Sequence, residues 1–135
     1  MKPSRMLMIS SLMSILLFEL HMTSDIMFGI EEGVQQDLIG ATVICLVWLC
    51  GTLLLAQRIP GYIITLVAGL LATGVAYLHM GGKGVGGEFT TKSGAFFFIW
   101  TLFMLALTGT FSVILSVRGL WKREWATGSA PPRSP

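Results

Sequence analysis

The side chains in this chain with chemistry to offer are two histidines and a handful of carboxylates. His21 and Asp25 stand four residues apart, which on a helix places them about 40° apart around the axis and therefore on one face. The same face continues backward through Ser14 and Ser10 and forward to Glu32, while Glu19 points to nearly the opposite side. His79 is the other imidazole, and it is the lone ionisable group in the apolar run from Gly61 to Met80. Two neutral imidazoles and a carboxylate suit zinc, iron or copper, so His21, Asp25 and His79 are candidate metal ligands. Asp25 could instead orient His21 by accepting its ring proton. Two histidines from different helices could also hold haem iron axially. A proton relay through Glu19, His21 and Asp25, with Glu32 beyond them, is a further option. Ionisable groups inside a membrane are costly and by default raise a functional hypothesis. Against this stands a plainer reading: the first span ends early, its polar groups sit among headgroups, and His79 anchors a helix end at the interface.

The elements that must position these residues follow from composition. The chain has 135 residues, 53% of them hydrophobic and only 12% charged, about half the charge of an ordinary soluble domain. Such a composition excludes disorder, and two cysteines exclude a disulfide scaffold. It predicts an all-α integral membrane protein with four transmembrane helices over about 6–28, 38–57, 60–80 and 95–117. Residues 1–125 would form one transmembrane domain, and 126–135, rich in proline, a disordered tail. Lys2 and Arg5 before an apolar stretch resemble a signal peptide, but Phe18-Glu19-Leu20-His21 is a poor cleavage site, so a retained first helix is expected.

Short connections make successive helices antiparallel and predict an up-down-up-down bundle. Pro60 suits the first turn of the third helix. If helix one starts at Met6, His21 lies about 22 Å along it, level with His79 at the end of helix three. Cations set orientation. Lys2, Arg5, Arg58, Arg118, Lys122, Arg123 and Arg133 fall on one side, and only Lys83 and Lys92 on the other. Both termini are therefore expected in the cytoplasm, with the histidines toward the outside. Trp121 and Trp125 fit an inner aromatic belt, and Phe96 to Phe98 with Trp100 an outer one.

Membrane helices pack through small residues. In helix three, Ala68, Ala72 and Ala76 share a stripe with Thr65 and His79, and Gly61, Thr65, Gly69 and Thr73 form a second beside it. Thr101, Thr108 and Ser112 share a face of helix four. Packing within the bundle is the favoured role of Ala68, Gly69, Ala72 and Ala76, ahead of an oligomer interface. Arg118, Lys122 and Arg123 are candidates for contact with lipid headgroups, although ordinary inner-side anchoring explains them as well. Gly82 to Gly87 matches the G-x-G-x-x-G pattern in letters, but it follows a membrane helix where the dinucleotide motif needs a strand. Cys45 and Cys50, roughly 8–9 Å apart on a regular helix, are beyond disulfide reach, and they read as buried apolar residues.

The expected function is that of a non-enzymatic accessory or structural membrane subunit, with no catalytic constellation. The alternatives are a metal- or haem-binding bundle with an outer-side site at His21, Asp25 and His79, or proton and solute handling. Implied partners are the bilayer and either another membrane protein or further copies of the chain. The expected location is a bacterial-type inner membrane. A net charge of +2 with cations at the membrane edges speaks against nucleic acid.

Overall fold

The computed structural model describes residues 3–28, 34–81 and 94–122. These form four helices: α1 (Pro3–Phe28), α2 (Val34–Leu53), α3 (Ile59–Gly81) and α4 (Ala95–Trp121). The helices α1, α3 and α4 are long and apolar enough to cross a membrane, whereas the apolar stretch of α2, Leu38–Leu53, is shorter. The expected tail, the Gly82–Gly87 run, Glu32 and Arg123 all lie outside the described residues.

The second span ends at Leu53, not at 57 as composition predicts. Leu54 and Leu55 both donate to the Cys50 carbonyl, Arg58 donates back to Leu55, and Gln57 takes a positive φ of 66°. Gly61 explains the stop. A β-carbon there would collide with the Leu55 carbonyl oxygen and stand 2.9 Å from that of Gly51. The first turn of α3 thus presses backbone on backbone against the end of α2, and only glycine permits it. Pro60 sits in that first turn, where its missing N–H costs nothing.

Side-chain contacts fix the helix directions. Ser10 of α1 meets Ser112 of α4, while His21 farther along α1 meets Phe98 near the start of α4, so the two run oppositely. Ser11 of α1 meets Thr52 near the end of α2. Gly69 and Gly109 bring α3 and α4 into backbone contact, since a β-carbon on either would come about as near as 3 Å to the other's carbonyl. The small residues Ala68, Gly69, Ala72 and Ala76 are all buried inside the bundle. By contrast, among its described side chains α2 buries only the line Cys45, Trp48, Gly51 and Thr52.

The core is layered. Leu7, Tyr62 and Leu115 close one end. Next comes a belt of hydroxyls. Then Trp48, Ala68, Ala72 and Leu105 form an apolar layer with Leu17 and Phe18 against it. Ala76, Phe98 and Leu102 follow at the far end, where the histidines lie.

Candidate functional site

At that far end, which we call the imidazole end, α1 carries His21 and the last turn of α3 carries His79. Their ring centroids are 5.2 Å apart, with the planes at 85°. Phe98 of α4 lies against both, with centroids 4.6 Å from His21 and 5.8 Å from His79. His21 is 1% exposed. Ala72 and Ala76 make this meeting possible: their small side chains keep α3 close to the bundle axis, so its last turn delivers His79 to α1.

The imidazole tautomers can be assigned from their surroundings. His79 Nδ1 is 2.7 Å from the Val75 carbonyl oxygen. A carbonyl only accepts, so Nδ1 carries the proton and the lone pair of this tautomer is on Nε2. His21 Nδ1 is buried and makes no hydrogen bond with the described residues. Asp25, 2% exposed, is buried one turn beyond His21. Between them, Ser24 donates to the His21 carbonyl at 2.8 Å.

Of the residues singled out by sequence, the structure therefore brings His21 and His79 together and buries Asp25 on the same side of α1. Glu19 is exposed on another side of the helix. Among the described residues, no three His, Cys, Asp or Glu side chains are grouped so as to hold a metal ion. Arg118 and Lys122 are exposed at the end of α4, beside Trp121. Cys45 is buried, but Cys50 is exposed and so is not the buried residue expected. It faces away because five residues carry it about 140° around the helix from Cys45.

Phe98 needs a second correction. It was expected in an interfacial belt with Phe96, Phe97 and Trp100, and those three are exposed, yet Phe98 is 1% exposed beneath the imidazoles. The signal was available: Phe98 precedes Thr101, Leu105 and Ser112 at helical spacing on the inward face of α4.

Sequence reasoning also missed the second polar centre, at the opposite, hydroxyl end. Trp48 Nε1 donates to Ser11 Oγ at 2.7 Å, Ser11 meets Thr52 Oγ1 at 2.7 Å, and Thr52 donates to the Trp48 carbonyl at 2.9 Å. Each hydroxyl has one proton, so Ser11 must donate to Thr52 and the three residues close a ring. Alongside, Ser10 donates to the Thr108 carbonyl at 3.0 Å, which leaves Ser112 to donate to Ser10 at 2.9 Å. A tryptophan in mid-span, whose indole N–H requires an acceptor, was the available clue.

Comparison with known proteins finds no matching family model, no matching curated protein and no matching solved structure.

Proposed function

We propose that the chain is a non-enzymatic accessory subunit of a cell membrane that works by packing against another membrane-embedded protein surface, with α2 as the docking helix. The observation that carries this is the state of α2. Among its described side chains it is held by one line of residues, and Ile39, Val43, Leu46 and Val47 are left exposed along its other faces. Its apolar stretch, Leu38–Leu53, spans about 24 Å against a hydrocarbon core of about 30 Å. A short span exposed to lipid carries a mismatch cost that association with other helices relieves. The four-helix arrangement would place both termini in the cytoplasm. Arg5, Arg58, Arg118 and Lys122 all gather at the hydroxyl end, which supports that orientation.

The test is purification in mild detergent. We expect an assembly larger than one chain, either with further copies or with a co-purifying membrane protein, and Val47→Trp on the exposed face of α2 should disperse it. A monodisperse monomer at every concentration overturns the proposal.

A further inference from the structure

We propose that Glu19 pairs with a lysine or arginine on the membrane helix of a different protein, laid along the seam between α1 and α2. This pairing rests on the reading of α2 as the docking helix, and it adds the charge that the docked helix must carry.

The depth of Glu19 requires such a partner. Glu19 follows Arg5 by fourteen residues, a rise of about 21 Å along α1. With Arg5 at one face of a hydrocarbon core of about 30 Å, the carboxylate lies inside that core, about 9 Å short of the opposite face. The second helix gives the same depth independently. The Cys45 thiol hydrogen-bonds the Glu19 side chain, and Cys45 lies near the middle of the apolar stretch Leu38–Leu53. Yet Glu19 is exposed. Acyl chains offer a carboxylate neither a donor nor a countercharge. A thiol is only a weak donor, and the glutamate stem is too short to reach the headgroups as a lysine would.

The described residues of this chain do not supply the countercharge. Their Lys and Arg side chains, Arg5, Arg58, Arg118 and Lys122, all stand at the hydroxyl end. His21 is buried and lies nearly opposite Glu19 around α1. Copies of one chain insert in one orientation, so a second copy would bring its own Glu19 to this depth and its described cations to the hydroxyl end. A helix of different sequence is therefore the occupant. The seam is open to it. Thr23, one turn beyond Glu19, is exposed, and so are Thr42 and Leu46 of α2 on either side of Cys45 in sequence. A helix there would cover Leu46, meet the Thr23 hydroxyl and bring its cation to the carboxylate.

The experiment uses the full chain in phosphatidylcholine vesicles with a synthetic membrane helix of leucine and alanine that carries one central lysine. The comparison helix has leucine at that position, and energy transfer between labelled chain and labelled helix reads binding. The lysine helix should bind the wild type at least about tenfold more tightly than the leucine helix. Glu19→Gln should abolish that preference while its helicity and elution stay as in the wild type. Glu19→Lys should transfer the preference to a helix with a central glutamate, a gain that misfolding cannot produce. Equal binding of the lysine and leucine helices by the wild type overturns the pairing, as does a lysine preference that persists in Glu19→Gln. The leucine helix tests the underlying docking separately. Equal binding of both helices that is lost in Val47→Trp would overturn the pairing and leave docking through α2 standing, whereas binding of neither helix overturns both.

Discussion

The two polar ends of the bundle treat their polar groups in opposite ways. At the hydroxyl end the bonding is closed. The Trp48–Ser11–Thr52 ring uses each donor once, and Ser112, Ser10 and the Thr108 carbonyl form a directed chain between α4 and α1. At the imidazole end the rings are packed edge to face, and His21 Nδ1 makes no hydrogen bond with the described residues. Both ends are buried in apolar surroundings where an unmet polar group is expensive. A closed network is what helix packing needs. An open donor atom, kept at that cost, is what ligand binding needs.

The sharpest way to break the scaffold side is Gly61→Ala. The new methyl would meet the Leu55 carbonyl oxygen, backbone that cannot swing aside, and a loss of about 3 kcal/mol is expected. Circular dichroism during denaturant titration should show most of the folded fraction gone.

The next effect belongs to the other end. The stability of His21→Phe should stay within about 1 kcal/mol of the wild type, because an orphaned nitrogen is removed along with the imidazole. Thermal melts of the variant beside the wild type measure it. A His21→Phe chain that unfolds would make the imidazole a scaffold group and erase the contrast.

Ser11→Ala should cost about 1–2 kcal/mol, since it opens the ring and leaves the Trp48 N–H unpaired. Ser10→Ala should cost only about 0.6 kcal/mol, the usual size for a hydroxyl bond between membrane helices. Equal melting temperatures for wild type and Ser11→Ala would show that the ring is ornamental to stability.

Much of this was legible in the sequence, and the failures are instructive. The polar face of α1 appeared through spacing alone, because Ser10, Ser14, His21 and Asp25 follow helical periodicity. The common level of His21 and His79 followed from counting rise per residue. The inward use of Ala68, Ala72 and Ala76 followed from residue size. The end of α2 was hidden, because Leu54 to Ala56 are as apolar as the helix before them and the stop is imposed by Gly61 of the next element. Ser11 was hidden for a related reason: its partners are on α2, and only tertiary register brings them to it. Phe98 was misplaced through being read with its neighbours Phe96 and Phe97, where the period of α4 assigns it to the inside.

The apolar layer between the two ends has an electrical consequence for a bundle set across a bilayer. From Ile15 to Phe18, α1 offers no hydroxyl or ionisable group, and Trp48, Ala72 and Leu105 close the same level from the other helices. The layer is an insulator. The transmembrane voltage, about 2.3 kcal/mol per elementary charge for each 100 mV, falls most steeply where polar groups are fewest. A charge at the imidazole end and a proton among the hydroxyls would therefore sit on opposite plates of a capacitor whose dielectric is Leu105 and its neighbours. Replacing Leu105 with a polar residue would thin that dielectric and turn two separate polar ends into one leak.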